Sequence, residues 1–182
     1  RSKAILFFYS YHELNYYIPT GQFQKAVKRI EVLEEIFPKY ENKITAAKKA
    51  VLYTFFAVSF LGNGNFKKSI YYLNKIRNEK MVGLCSEIES FAHLLYLIVQ
   101  FEKGSEAAFL KSLVRSVYHY LLKRNRLYKF EECIINFIRK KLPKVSSQKD
   151  LLLAFASLKK ELVTILKDPF EQGGIQDFDF IS

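Results

Sequence analysis

The chain of 182 residues has no tryptophan, 7 glycines, 4 prolines and 2 cysteines. So few backbone breakers over such a length exclude a fold of many short strands and favour long helices. Two cysteines cannot make a disulfide framework. Cys85 and Cys133 each sit among apolar residues and read as buried thiols. Buried thiols suit a reducing compartment, and a cytoplasmic location is the expectation. No apolar run reaches the roughly 18 residues that cross a bilayer; the richest, 91–101, is broken by His93 and Gln100. His12 is followed by Glu13, but no second histidine stands four residues on, so the zinc-protease pattern fails. No Cys–His spacing suits a metal. The pairs Glu34–Glu35 and Glu131–Glu132 are adjacent in sequence. Neighbours on a helix diverge by about 100°, so neither pair converges on one substrate atom. With no nucleophile–base–orienter set, the chain reads as non-catalytic, with no cofactor and no metal.

What is present is apolar and basic. Hydrophobic residues make up 49% of the chain and aromatics, all Phe and Tyr, 16%. Lys and Arg number 29 against 18 Asp and Glu. The imbalance is uneven, because residues 168–182 hold four acidic residues and no basic one, leaving +15 on residues 1–167. A body this basic attracts nucleic acid, acidic lipid or acidic protein; lysines spread over solvated faces for solubility are the plainer explanation.

Periodicity organises the chain. Gly21, Gly64, Gly104 and Ser147 follow one another at 43, 40 and 43 residues, each a small residue between two apolar helical patterns. After Gly21, the residues Phe23, Ala26, Val27, Ile30, Leu33 and Phe37 recur at three- and four-residue steps, and Phe66, Ile70, Leu73 and Ile76 do so after Gly64. The stretch AAKKAVLYTFFAVSFL before Gly64 is apolar nearly all round past Lys49 and must be covered on several sides. Eight helices are predicted, over about 3–18, 22–37, 42–61, 66–79, 84–102, 105–124, 127–142 and 148–167. Pro38, Pro143 and Pro169 end the second, seventh and eighth. Ser147 suits an N-cap, with Asp150 in the first turn. The helices group into units of about 1–40, 41–81, 82–125 and 126–167, followed by an extended acidic–aromatic tail, 168–182. That tail could lie on the basic body through opposite charge.

The stretch LGNGNFKKSIYYL, residues 61–73, invites a phosphate-loop reading. Such a loop needs G-x-x-x-x-G-K-[ST] after a strand. Here Lys68-Ser69 follows Gly64 by four residues, and a helical pattern precedes it. The tight-turn reading holds instead, with positive φ needed at Gly62 and Gly64, Phe66 as a core anchor and Ser69 where two helices cross.

These residues resemble a tetratricopeptide repeat. Tyr53, Phe56, Ala57 and Phe60 match its first helix, Gly64, Asn65 and Phe66 its turn, and Ser69, Leu73 and Ile76 its second helix. The unit around Gly21 matches over its second half, at Phe23, Ala26, Ile30, Leu33 and Pro38. The later units match in architecture only, Ser147 replaces glycine, and the spacing exceeds the family's usual length of about 34. The resemblance implies an all-α fold, a right-handed α-α solenoid of about four helical hairpins with a concave binding surface. It implies no particular ligand.

Two surfaces are candidate sites. The first helices of each unit should line the inner curve, where Tyr9, His12, Tyr16, Phe55, Val58, Phe91 and Ile98 would form an aromatic groove for a protein or peptide. The competing reading makes such residues core between stacked units, more so for Val51 and Leu94. The second surface is basic: Arg115, His119, Lys123, Arg124, Arg126, Lys129, Arg139 and Lys140, with Tyr118, Tyr120 and Tyr128 interleaved. Arg115, His119 and Lys123 are spaced by four and share one helical face. Such a surface could hold a nucleic-acid backbone or an acidic peptide, or could simply complement helix dipoles. The leading expectation is a scaffold that binds another protein; nucleic-acid or other polyanion binding through Arg115–Lys144 is the alternative.

Overall fold

A computed structural model of the chain describes residues 2–40, 44–78 and 86–171, with side chains placed from residue 9 onward and from 87 in the last segment. Cys85 and most of the tail, 172–182, lie outside these residues. The described residues are all-helical and contain no strand. In chain order the helices are α1 (Ser2–Tyr17), α2 (Phe23–Ile36), α3 (Ala46–Gly62), α4 (Phe66–Asn78), α5 (Ser86–Glu102), α6 (Ala107–Lys123), α7 (Lys129–Asn136) and α8 (Gln148–Ile165). The prolines act as their geometry requires. Pro38 converts the end of α2 into a 3-10 turn, and Pro143 does the same after a π turn (Phe137–Lys141) that extends α7. The chain divides into two compact units, one running to Lys103 and the other beginning at Gly104.

The first unit is built round α3. This helix packs on α1, α2, α4 and α5, and buries Ala50, Leu52 to Ala57, Ser59 and Phe60. Burial on all sides answers its all-round apolar sequence. Phe55, Phe56 and Phe60 are fully buried, and each stabilises the fold by about 2–3 kcal/mol. Tyr53, Phe56, Ala57, Phe60, Ser69, Leu73 and Ile76 are buried together. The Ser69 hydroxyl donates to the Ala57 carbonyl at 2.8 Å, so a small polar side chain lets α4 cross α3 closely while its own hydroxyl is satisfied. Polar ties fasten the remaining pairs. Arg29 of α2 forks onto Glu13 of α1 at 2.6 and 2.8 Å, and Glu34 of α2 accepts from Lys68 at 2.8 Å and from the Tyr72 hydroxyl. Burial first, and the hydrogen bond to Glu34 second, push the Tyr72 hydroxyl's pKa well above its ordinary value.

The bends are left-handed residues. Gly21, Gly64 and Gly104 have φ of +69°, +76° and +75°, which glycine adopts without a Cβ penalty. At Gly64 two backbone bonds close the helix end, Asn65 N–H to Phe60 O at 2.8 Å and Gly64 N–H to Leu61 O at 2.9 Å. The same pair recurs at Gly21 and, in the second unit, at Asn125, with φ +55°. Gly62 differs from expectation. It is the last residue of α3 and has no positive φ; its missing side chain instead admits the Phe23 ring of α2, which lies directly against it.

In the second unit α7 and its π turn pack against α6, and α7 packs against α8. Leu113, Val114, Val117 and Leu121 of α6 are buried, as are Cys133, Ile135, Phe137 and Ile138 of the α7 segment. Ser147 caps α8 by accepting the Asp150 N–H at 3.1 Å, with φ −137°. This junction is therefore an extended N-cap, while the left-handed bend of the second unit falls at Asn125 between α6 and α7.

Gly62→Ala is expected to cost about 2 kcal/mol, because the new methyl meets the Phe23 ring. Gly64→Ala, with open space around its Cβ, should cost about 1 kcal/mol from backbone strain alone. Urea unfolding of the two variants checks the order. Tyr72→Phe should cost about 1 kcal/mol by removing one donor from Glu34, leaving the Lys68 pair intact; the same assay reads it.

Candidate functional site

The basic–aromatic surface lies within the second unit, where the packing of α6 against α7 assembles it. Arg115, His119 and Lys123 stand exposed along one face of α6, opposite its buried leucine and valine positions. Lys111, four residues before Arg115, is exposed and extends this line by one step; its spacing was legible in the sequence but it fell outside the cluster first singled out. Across the α6–α7 packing, the Arg139 guanidinium lies 6.0 Å from the Tyr118 ring centre and donates to Asn136 Oδ1 at 2.8 Å. Tyr118 also meets the His119 ring edge-on at 5.7 Å. Arg124 lies 4.4 Å from the Tyr120 ring centre. Arg126 sits 5.8 Å from the Tyr128 ring centre and donates to its hydroxyl at 3.3 Å. The interleaved tyrosines thus serve as platforms for the chain's own arginines. Lys140 is exposed at the end of the α7 segment.

Lys129 belongs elsewhere. Its ammonium pairs with Asp168 at 3.0 Å. That hydrogen bond raises the lysine's pKa and, with the Phe170 N–H, holds the Asp168 carboxyl below its ordinary value. The contact is part of a seam in which the first residues of the tail return to α7. Phe170 meets the Tyr128 ring at 5.9 Å, and the Glu171 side chain, buried, accepts the Phe130 N–H at 3.4 Å. Glu131 accepts the Tyr128 N–H at 3.1 Å, and burial lifts its pKa, with Glu171 nearby acting in the same direction. Two carboxylates therefore answer the exposed N–H groups at the start of α7.

Between α7 and α8 lies an open concavity of about 510 Å³ lined by Lys129, Glu132, Cys133, Asn136, Lys160, Glu161, Thr164 and Ile165. The Cys133 thiol is pushed up to about 11 by burial and by the adjacent Glu161 carboxylate, so it stays protonated at neutral pH. Among the described residues no group of three or more His, Cys, Asp and Glu converges as a metal site would require. No helix among them is long and apolar enough to cross a membrane.

The aromatic groove residues are divided by the structure. Tyr9 and Tyr16 are 63% and 61% exposed, and His12 is exposed between them on the same face of α1. Phe55, at 1% exposure, is a core residue whose ring packs against Tyr11 at 5.3 Å; the all-round burial of α3 removes it from any open groove. Val58 and Phe91 are half-buried against the same core, and Ile98 is half-buried on α5. Sequence reasoning missed the outer flank of α8, where Leu152, Leu153 and Val163 are 67%, 61% and 48% exposed. The apolar content of α8 reads as core, and only packing tells which of its leucines find no neighbour.

Compared with protein-family models, curated proteins and solved structures, the chain matches none.

Because Asp168 is held low by Lys129, the contact is present above the ordinary carboxylate range and lost as pH falls through the lowered value. Lys129→Met is expected to return Asp168 towards an ordinary carboxylate titration and to weaken the seating of Phe170 on Tyr128. Carboxyl carbon NMR titration reads the first effect, and ring proton shifts of Tyr128 read the second. An Asp168 titration unchanged by the substitution would refute the pairing.

Proposed function

We propose that the chain is a non-catalytic helical-repeat module that docks another protein. The reading takes the helical hairpins as tetratricopeptide-like and as parts of a right-handed solenoid. Support for it in the first unit comes from α1, α3 and α5, which succeed one another as packed neighbours, with α2 and α4 packed beside α3. The observation that carries the docking reading is α8. Its 18 residues include no buried one, although most helices in water owe their stability to a buried face. Its inner side meets the α7 segment, where the Phe155 ring, itself 40% exposed, lies 5.1 Å from Phe137 of the π turn. Leu152, Ala156 and Val163 share one outer flank by their spacing. An apolar flank of this kind on a helix with no buried face marks an interaction surface. The exposed line of Tyr9, His12 and Tyr16 on α1 is a second such surface, in the first unit.

Polyanion binding is the second reading, favoured by the cations along α6. A nucleic acid would gain phosphate contacts there. It would find the interleaved tyrosines already engaged by arginines, which weakens the base-stacking half of that reading.

A photo-crosslinking residue placed at Leu153 in cells should yield a discrete protein adduct. Leu152→Asp combined with Val163→Asp should abolish that adduct while shifting Tm by only about 2–3 °C, since both side chains are exposed. Adducts with nucleic acid alone, or none at all, would overturn the proposal.

A further inference from the structure

We infer that the exposed face of α6 selects a carboxylate-rich, helix-forming segment of the protein partner. This rests on the protein-docking reading above and adds the chemistry of what is docked. Lys111, Arg115 and Lys123 share one face with His119 at four-residue steps, which sets the cations Lys111 and Arg115 about 6 Å apart along the helix and Lys123 about 12 Å beyond. Like charges at this spacing repel one another and weaken the helix that carries them. Four cations elsewhere are paired with carboxylates: Lys129 with Asp168, Lys141 with Glu161, Lys68 with Glu34 and Arg29 with Glu13. Among the described residues, no carboxylate pairs with Lys111, Arg115, Lys123 or Lys140. A second chain bearing carboxylates at the same four-residue period would supply the missing charge in register.

Two arginines lie beside this face: the Arg139 guanidinium is 6.0 Å from the Tyr118 ring centre and donates to Asn136, and the Arg124 guanidinium is 4.4 Å from the Tyr120 ring centre. Guanidinium groups add positive charge that suits a carboxylate or a phosphate. Two observations favour the carboxylate. The Tyr118 and Tyr128 rings already meet arginine guanidinium groups and aromatic edges, His119 at the one and Phe170 at the other. Leu122 and Phe109 are exposed on the same helix, and by angular position Leu122 falls between the cations. A sugar–phosphate backbone offers little to an exposed leucine, whereas an amphipathic acidic helix carries an apolar edge beside its charges.

The test uses the full chain and three labelled probes followed by fluorescence anisotropy. They are a helical peptide with glutamates every four residues beside leucines, the same peptide with glutamine for glutamate, and an oligothymidylate of equal charge. The glutamate peptide should bind, weaken as salt rises from about 50 to 300 mM, and lose about tenfold or more in affinity with Arg115→Glu plus Lys123→Glu. Lys28→Glu plus Lys67→Glu, on exposed positions of the first unit, should have little effect. The inference is overturned if the glutamine peptide binds as well, if oligothymidylate binds more tightly at equal salt, or if both charge-reversal pairs act alike. Circular dichroism of each variant confirms that its helices are intact. Probe binding that is lost in the Leu152→Asp, Val163→Asp chain but unmoved by the α6 reversals would sink this inference and leave the docking reading standing. Binding that responds to the α6 reversals, with no protein adduct at Leu153, would do the opposite.

Discussion

A helix that is apolar on every side has no face to offer water, and α3 is such a helix. Its stability depends on being enclosed, so α1, α2, α4 and α5 are held in place by the same requirement. Thr54, buried within it, returns its hydroxyl to the Ala50 carbonyl at 2.9 Å, which removes the cost of a polar group in that position. Of the partners of α3, α2 and α4 are amphipathic and carry exposed lysines on their outer faces, Lys25 and Lys28 on the one and Lys67 on the other. Left-handed Gly21 and Gly64 make this enclosure possible, since each reverses the chain within a few residues and lets α1 lie against α2 and α3 against α4.

The second unit is organised differently. Three helices and one tight left-handed bend leave α7 as the middle element and α8 poorly covered. Charge does more of the local work here. Glu131 and Glu171 satisfy the start of α7, Lys141 reaches Glu161 on α8 at 3.0 Å, and Arg139 reaches back to α6 through Tyr118. The π turn from Phe137 to Lys141 holds residues serving both neighbours, a common trait of such widened turns at functional surfaces.

Much of the fold could be read from the sequence because the apolar residues repeat at helical spacing and the prolines fall at helix ends. Eight helices were expected near the positions where they lie, Ser147 and Asp150 behave as a cap and its first-turn acid, and Ser69 sits at a helix crossing. Where the reading departed from the structure, the cause was packing between distant residues. Gly62 looked like a second left-handed position, but the ring that needs its space belongs to Phe23, 39 positions earlier. The bend at Asn125 was hidden because asparagine adopts positive φ less conspicuously than glycine. Phe55 suited a groove by its place in the period, yet the period cannot reveal that α3 is covered all round. For the candidate site, the four-residue spacing on α6 was visible at once. The stacking of Arg139 on Tyr118 and the removal of Lys129 by Asp168 were not, because each joins residues more than 20 apart in sequence.

The return of residues 168–171 to α7 has one further consequence. Glu171 is almost wholly enclosed, and its carboxylate closes the first turn of α7. A protease trimming inward from the C-terminal side would meet resistance there. Digestion that passed Glu171 would unseal α7 and, through it, loosen the turn that carries Arg139. Sensitivity to such trimming would thus be a gauge of how firmly the basic face is held.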